Sequence, residues 1–207
     1  HRPAPALMRI LIATMNAGKL REYERLLAGV PGLELDTMAS LGERIEVVED
    51  RDTFVGNAKK KATEVAAVAG IPCLSDDSGL EVDALSGGPG VHSARYSGEG
   101  ATDATNNAKL LEELSEVPND ARTARFQCAI AVVDSDGREL ALAEGACEGR
   151  IGREPRGTHG FGYDPLFIPE GFAKTMAELG PETKNEISHR AKAAAKLVPL
   201  LQQLQRP

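Results

Sequence analysis

The sequence of 207 residues predicts an α/β fold built on a mixed β-sheet. Two observations favour this fold class. In the first half of the chain, short apolar runs alternate with segments whose apolar residues recur every three or four positions, the order expected of strands followed by helices. In the second half, two apolar runs flank the turn sequence Asp-Ser-Asp-Gly at 134–137, a pattern typical of an antiparallel hairpin.

The first half contains two predicted strands and three predicted helices. Residues 9–13 form an apolar run, and apolar residues at 20, 23, 26 and 27 then follow helical spacing. Residues 53–69 carry small apolar residues on one helical face and end before Gly70, a typical helix stop. Residues 71–74 form a second strand, and Thr102 or Asp103 caps a helix that extends through Leu114.

The second half contains the hairpin and a final helix. Residues 124–133 and 139–145 are the two predicted strands of the hairpin. The last helix is expected from about Asn185 through Leu201, with a kink or break at Pro199, because proline lacks the N–H donor of a helix interior. The glycine-rich segments 86–100 and 145–162 are expected to form irregular loops.

Composition and charge exclude several classes of protein. Hydrophobic residues make up 42% and charged residues 27% of the chain, close to the globular average, which excludes collagen, coiled coil and wholesale disorder. No apolar run approaches the roughly 20 residues that span a membrane. A net charge of −7 argues against a nucleic-acid partner, because such binding needs a basic face. An anionic small molecule would therefore need a local concentration of cations.

The cysteines and the N-terminal segment indicate a cytoplasmic protein. Cys73, Cys128 and Cys147 are odd in number and lack metal-site spacing, as in proteins of a reducing compartment. Residues 1–7 lack the apolar core of a signal peptide, and we interpret them as a cloning remnant or a disordered tail before Met8. Residues 8–207 are expected to form one functional domain.

A strand-to-helix loop at residues 14–19 is the first candidate site. Its residues are Thr14, Met15, Asn16, Ala17, Gly18 and Lys19. Backbone N–H groups at the start of the following helix, together with the Lys19 charge, suit a phosphate group. The spacing is not that of a Walker A loop. An ordinary turn with a solvated lysine is the alternative interpretation.

Two acidic segments are candidate ligands for a hard cation. Asp76 and Asp77 follow the strand at 71–74, and because neighbouring strand residues point to opposite faces, we expect different roles for them. Glu49 belongs to a second acidic segment, 49–52, just before a helix. One carboxylate from each segment would suit an oxygen-liganded cation. An Asp-Ser-Gly turn and solvated charges at a helix start are the alternatives.

Four of the eight aromatic residues of the chain fall between positions 161 and 172. They are Phe161, Tyr163, Phe167 and Phe172. Aromatic rings on a glycine-rich loop can stack on a base, and a plug of core residues under the loop is the alternative. Lys184, His189 and Arg190 follow near the last helix and supply local positive charge, unless they form only a solvated face.

Six segments resemble the inosine triphosphatase family in order and spacing. They are TMNAGK (14–19), TFVGNAKKKA (53–62), LSDDSGLEVDAL (74–85), GPGVHSARYSG (88–98), GTHGFGYDPLF (157–167) and Lys184 with SHRAKA (188–193). The resemblance spans residues 9–204 and implies a long mixed sheet with helices and two lobes around a central cleft. The chain departs from the family pattern at Gly56, where the family often has Glu, and in the shortened acidic segment 49–52.

The resemblance also implies an activity. A Mg²⁺-dependent homodimer would hydrolyse inosine, deoxyinosine and xanthosine triphosphates to the monophosphate and pyrophosphate. Residues 14–19 would hold the phosphates, Asp77 would be the catalytic carboxylate next to the metal, and Glu49 would be a second metal ligand. The residues implied to bind substrate, largely through its base, are Ser78, Phe161, Gly162, Tyr163, Asp164, Lys184, His189 and Arg190. A pyrophosphatase for modified pyrimidine nucleotides and a nucleotide sensor without turnover are the alternatives.

Overall fold

The computed structural model describes residues 6–42 and 45–206, which contain a six-stranded mixed sheet. Its strand order is β2-β1-β3-β4-β5-β6. Strand β1 pairs in parallel with β2 and with β3, whereas β5 and β6 are antiparallel. The strands are β1 (Met8–Ile12), β2 (Leu33–Thr37), β3 (Cys73–Val82), β4 (Thr123–Val133), β5 (Glu139–Ile151) and β6 (Phe167–Pro169). The predicted α/β fold with a mixed sheet is confirmed.

Five α-helices accompany the sheet in the described residues, and polar side chains begin most of them. They are α1 (Ala17–Leu27), α2 (Phe54–Ala69), α3 (Asp103–Glu113), α4 (Met176–Ile187) and α5 (His189–Leu204). The Thr53 hydroxyl accepts the N–H of Gly56 at the start of α2, and Thr102 caps α3 in a reciprocal arrangement with Thr105. These caps satisfy N–H groups that a helix start leaves unpaired, so the helix starts expected near 53 and 102 are confirmed.

Strand β3 is longer than predicted. We expected it to end at Leu74, but it continues through Ser75, Asp76 and Asp77 to Val82. Polar residues end a strand when they need water, and here both aspartates are buried with hydrogen-bond partners inside the protein. The polar segment is therefore part of the sheet, and its interpretation as an Asp-Ser-Gly turn is wrong.

The end of the chain also differs from expectation. A break at Ser188 separates α4 from α5, and α5 runs through Pro199 without a break. Ser188 has extended backbone angles (φ −66°, ψ 159°), and its hydroxyl accepts the N–H of Ala191 at 3.1 Å. This serine starts a new helix, whereas the pattern of apolar residues alone suggested a continuous one. The short strands β2 and β6 were not predicted, and β5 extends to Ile151, beyond the expected end at 145.

The chain forms two compact units, each with its own hydrophobic core. The first unit comprises residues 6–42, 45–77, 128–145 and 192–206, and the second comprises 78–127 and 146–191. In the first unit, Ile10 and Leu74 from the sheet pack with Tyr23 of α1 and Leu197 of α5. In the second unit, apolar residues of β3, β4, β5 and β6 pack with one face of α3. The buried residues of this second core include Leu80, Val82, Leu110, Leu114, Phe126, Ile151, Tyr163 and Phe167.

The N-terminal residues are only partly described. The expectation of a remnant or tail at residues 1–7 falls mostly on residues 1–5, which lie outside the described residues. Ala6 exchanges two hydrogen bonds with Gln205, one through its N–H at 3.4 Å and one through its carbonyl at 3.3 Å. In the described part of the chain no helix is both long enough and apolar enough to cross a bilayer.

Arg122 lies buried beneath the end of α3, where it donates to backbone carbonyl groups. Its guanidinium donates to Leu114 at the helix end, to Ile151 at 3.0 Å and to Gly152 at 2.8 Å. Only 1% of the residue is exposed. Carbonyl groups at a helix end carry partial negative charge, so they stabilise the buried cation.

We predict that Arg122→Met lowers the free energy of unfolding by about 3 kcal/mol, because several buried carbonyl oxygens lose their donor at once. Urea denaturation followed by far-ultraviolet circular dichroism measures this change.

Arg153→Met is the matched control. Arg153 is exposed and donates at 2.9 Å to the carbonyl of Val117, three residues after Leu114 at the end of α3. Surface substitutions of this kind usually change stability by less than about 1 kcal/mol. Equal losses in the two variants would contradict the role assigned to Arg122.

Candidate active site

The loop at 14–19 is held rigid by its own side chains. The hydroxyl of Thr14 accepts the N–H of Asn16 at 3.1 Å, and the side-chain oxygen of Asn16 accepts the N–H of Lys19 at 3.0 Å, which caps α1. Ala17 and Gly18 form the first turn of α1, and Met15 is 74% exposed. The loop therefore presents a fixed helix start with an adjacent lysine, an arrangement that suits an anion.

A group that we call the charged cluster lies in the first unit beside this loop. It consists of Lys19, Glu49, Lys61, Asp76 and Asp77. Lys19 Nζ lies 2.8 Å from Asp76 Oδ1, and the side chain of Asp76 is only 2% exposed. Lys61 pairs with Glu49 and donates to the backbone carbonyl of Asp76 at 3.2 Å.

The two aspartates of β3 have different partners, as the sequence predicted. Asp76 binds Lys19 of α1, and its Oδ2 lies 3.8 Å from the thiol of Cys128. Asp77 Oδ2 instead accepts a hydrogen bond of 3.0 Å from Asn57 Nδ2 on α2. Successive residues of a strand point to opposite faces, and this alternation separates the two carboxylates.

The carboxyl group of Asp77 is unusually easy to protonate. Burial and, to a smaller extent, the charge of Glu49 raise its pKa to about 6, against the hydrogen bond from Asn57 and the charges of Lys19 and Lys61. Two carboxylates that repel each other in a buried place favour a bound cation, because the cation removes both the repulsion and the desolvation cost.

Lys61 is a residue of this cluster that sequence reasoning did not single out. Burial alone would lower its pKa, but the charges of Glu49, Asp76 and Asp77 outweigh burial, and the pKa is raised. Lys61 lies four residues after Asn57 on α2, so the two side chains share one helix face. This spacing, rather than the run of three lysines, was the signal that could have identified it.

A cavity of about 170 Å³ adjoins the loop and Lys61. Its walls come from Ala13, Thr14, Met15, Met38, Ile45, Val47, Lys61 and Val65. A ligand in this cavity would touch both the loop at 14–15 and Lys61. The cavity thus brings the first predicted motif together with the lysine of α2.

The protein alone supplies few ligands for a metal ion. No group of three or more His, Cys, Asp and Glu side chains in residues 6–42 and 45–206 is arranged as a metal site. Glu49 and Asp77 offer hard oxygen donors, which is the ligand type that Mg²⁺ prefers. Mg²⁺ is commonly bound through one or two carboxylates and the phosphates of a substrate, so this pair fits that ion.

A second group, which we call the aromatic cluster, lies in the second unit. It consists of Ser78, Phe161, Asp164, Lys184 and Arg190. Lys184 Nζ lies 4.3 Å from the centre of the Phe161 ring, and the guanidinium carbon of Arg190 lies 5.8 Å from it. Both cations are within reach of the negative face of the ring.

Buried hydrogen bonds fix the aromatic cluster. Asp164 Oδ2 accepts from Lys184 Nζ at 2.6 Å and from the backbone N–H of Phe161 at 3.0 Å. Arg190 is 1% exposed and donates to the hydroxyl of Ser78 at 2.8 Å. The neighbouring His189 stacks on Phe126 with ring centres 4.8 Å apart. These side chains are held in place before any ligand arrives.

The aromatic side chains of the predicted loop differ in how deeply they are buried. Phe161 is half-buried, whereas Tyr163 and Phe167 lie in the core of the second unit. The hydroxyl of Tyr163 donates to the carbonyl of Ser93 at 2.7 Å. Phe161 therefore offers a stacking face for a base, and the core interpretation holds for Tyr163 and Phe167.

The chain is similar to proteins with a described activity. A model of the Ham1 family matches residues 10–200. A dITP/XTP pyrophosphatase of Geobacillus kaustophilus is 52% identical over 191 residues, which cover 92% of this chain and 93% of that protein. A dITP/XTP pyrophosphatase of Desulforamulus reducens is 50% identical over 197 residues, which cover 95% of this chain and 97% of that protein.

Solved structures show the same fold. A HAM1 protein from Coxiella burnetii superimposes with a TM-score of 0.86 at 39% identity, covering 95% of this chain and all of that one. A nucleoside-triphosphatase, or dITP/XTP pyrophosphatase, from Mycobacterium abscessus gives a TM-score of 0.74 at 47% identity, covering 94% of this chain and all of that one. The similarity extends over nearly the whole length of each protein.

We predict that Asp77→Asn stabilises the metal-free protein in a pH-dependent way. Because the pKa of Asp77 is about 6 in the folded state and 3.8 for an unperturbed aspartate, ionisation destabilises the fold as the pH rises from about 4 to 6. The asparagine has no proton to lose and stays neutral, so its advantage should grow over this range, to at most about 3 kcal/mol, and then level off.

Urea denaturation in EDTA at several pH values measures this difference, with Asp136→Asn in the exposed hairpin turn as the control for loss of a carboxylate. A difference that stays constant from pH 4 to pH 7 would show that Asp77 is not perturbed.

Proposed function

Because this chain belongs to the Ham1 family, we propose that it hydrolyses the non-canonical purine nucleotides ITP, dITP and XTP to the monophosphate and pyrophosphate. The chain is a nucleoside triphosphate pyrophosphatase, a hydrolase, and relatives about 50% identical to it bear the name dITP/XTP pyrophosphatase. The observation that carries the proposal is the buried carboxyl group of Asp77, which lies in one cluster with Glu49 and with Lys19 of the loop at 14–19.

The triphosphate binds at the loop of residues 14–19 and the charged cluster. The helix start at Asn16 donates backbone N–H groups, and Lys19 and Lys61 supply charge. These two lysines already face the carboxylates of Asp76 and Glu49, and Asp77 adds a further negative charge. The charged cluster alone therefore does not neutralise a triphosphate. A divalent cation is needed for the carboxylates of the cluster and the phosphates to lie close together.

Asp77 and Glu49 would hold that cation, which we assign as Mg²⁺. When bound, it neutralises phosphate oxygens and polarises the phosphorus that water attacks. Asn57 orients the Asp77 carboxylate through the hydrogen bond to Oδ2, so the second oxygen has a fixed direction. Lys61 holds Glu49 in the same way. Asp77 acts in its ionised form, whether it binds the cation or accepts a proton from water.

The base binds at the aromatic cluster, where Phe161 provides the stacking surface. Hypoxanthine and xanthine carry a carbonyl at position 6, and adenine carries an amine there. Arg190, His189 and backbone N–H groups of the loop can donate to a carbonyl, but they would face another donor in adenine. A site built in this way can reject the wrong base by ~10⁴–10⁵-fold. Ser78 supports this arrangement by fixing Arg190.

The assembly and the location of the protein follow from the same proposal. We infer a homodimer in the cytoplasm, acting on free nucleotides rather than on nucleic acid or membranes. Cys73, Cys128 and Cys147 are buried thiols, a state that a reducing compartment maintains. Size-exclusion chromatography with light scattering measures the oligomeric state directly.

Pyrophosphate release from a panel of triphosphates tests the function. We expect rapid release from ITP, dITP and XTP in the presence of Mg²⁺, at least 100-fold slower release from ATP, and none in EDTA. Tight binding of ITP without pyrophosphate would instead identify a sensor. Preferential release from modified pyrimidine triphosphates would identify the other type of pyrophosphatase.

We predict that Asp77→Asn lowers kcat for ITP by about 10³-fold or more, because either of its two roles requires an ionised carboxylate. Steady-state pyrophosphate release measures kcat, and circular dichroism verifies the fold. Asp136→Asn, in the exposed turn between β4 and β5, should keep wild-type kcat. Turnover close to wild type in purified Asp77→Asn would remove this residue from the mechanism.

A further inference from the structure

We propose that Asp103 and Asn107 of helix α3 are positioning residues that hold the Phe161 loop in the conformation that stacks on the base. This inference rests on the proposed function. Neither residue belongs to the motif segments that resemble the inosine triphosphatase family, and neither is part of the aromatic cluster.

The two side chains form hydrogen bonds with the two backbone polar groups of the same glycine, Gly162. Asp103 Oδ2 accepts the backbone N–H of Gly162 at 2.8 Å, and Asn107 Nδ2 donates to the carbonyl oxygen of Gly162 at 2.9 Å. Asn107 Nδ2 also donates to the carbonyl of Asp103 at 2.9 Å, which ties the two residues to each other. Both backbone polar groups of Gly162 are thus bound to α3.

Gly162 directly follows Phe161 and has a φ of +61°, in the left-handed region. Gly160, on the other side of Phe161, has a φ of +78°. Glycine has many other accessible conformations, so two such residues make the Phe161 loop intrinsically mobile. The hydrogen bond from the backbone N–H of Phe161 to Asp164 fixes the loop at Phe161, and α3 fixes it at the next residue, Gly162.

Helix α3 is a suitable anchor because it is itself well fixed. Leu110 and Leu114 lie in the core of the second unit, and Thr102 and Thr105 cap the helix start. Asn106 of the same helix donates to the carbonyls of Ser93 and Ala94, in the segment 88–98. The segment 88–98 resembles the family in sequence. Its hydrogen bonds to Asn106 help to hold α3 in place, and α3 in turn holds the Phe161 loop.

Loss of these hydrogen bonds to Gly162 should weaken binding of the base but not of the phosphates. One hydrogen bond contributes about 1 kcal/mol, so each single variant should lose roughly five- to tenfold in affinity for the base. Pyrophosphate has no base, so its affinity does not depend on the position of Phe161. A general disruption of the protein would weaken both ligands together.

The test measures inhibition of ITP hydrolysis by inosine monophosphate and by pyrophosphate in four variants. Asp103→Ala and Asn107→Ala each remove one of the two hydrogen bonds to Gly162. Asp103→Asn keeps an acceptor oxygen and removes only the charge, so it should restore most of the affinity. Glu112→Ala, at an exposed position of the same helix, is the control. Thermal unfolding identifies any variant that does not fold.

We expect the inhibition constant of inosine monophosphate to rise five- to tenfold in both alanine variants, with that of pyrophosphate unchanged within twofold. The KM for ITP should rise with kcat changed by less than threefold. An unchanged inhibition constant for inosine monophosphate, or an equal rise for both inhibitors, would overturn the proposal. If one alanine variant does not fold, the other decides. A wild-type protein that releases no pyrophosphate would instead contradict the proposed function itself.

Discussion

The alternation of side chains along β3 is the constraint on which the candidate site depends. Asp76 and Asp77 are neighbours in sequence, are both buried, and would repel each other on a common face. The strand directs one toward Lys19 and the other toward Asn57. The negative charge of each carboxylate is thereby stabilised by a different partner. Asp76 is paired with a cation, whereas Asp77 accepts a hydrogen bond from a neutral amide and keeps a raised pKa.

This difference in charge compensation supports the roles that we propose for the two aspartates. Both carboxylate oxygens of the buried Asp76 already have partners, Lys19 at 2.8 Å and the Cys128 thiol at 3.8 Å. Asp77, buried and near the charge of Glu49, gains most from a divalent ion. The same reasoning explains how a chain with a net charge of −7 can act on anions. Its site does not offer an excess of positive charge, and in our proposal the ion that accompanies the nucleotide supplies it.

Local signals in the sequence predicted much of the fold. The starts of α2 and α3 were predictable because Thr53 and Thr102 cap helices through contacts within three residues. The break at Ser188 was not, since a serine inside an apolar pattern is compatible with either one helix or two. Strands β2 and β6 are short edge strands, and their pairing depends on partners that are distant in sequence.

The candidate site was predictable to a similar degree. The motifs identified Lys19, Asp77, Phe161 and Arg190, which the structure places in the two clusters. They did not separate Lys61 from its neighbours, although the three lysines differ in environment. Lys59 pairs with Glu139, Lys60 with Asp50 and Lys61 with Glu49. The position of each lysine on the helix, four residues after Asn57 in the case of Lys61, decides which of the three consecutive charges points inward.

The placement of two aspartates inside a strand, rather than in a loop, limits how this protein can change in length. An insertion or deletion of a single residue in β3 before Asp76 would rotate every following side chain to the other face, and each of the two carboxylates would point to the wrong face of the sheet. The turn at 134–138 has no such restriction, because its residues bond mainly to one another. Across descendants of this sequence, gaps should therefore accumulate at the hairpin turn and be absent between Cys73 and Val82.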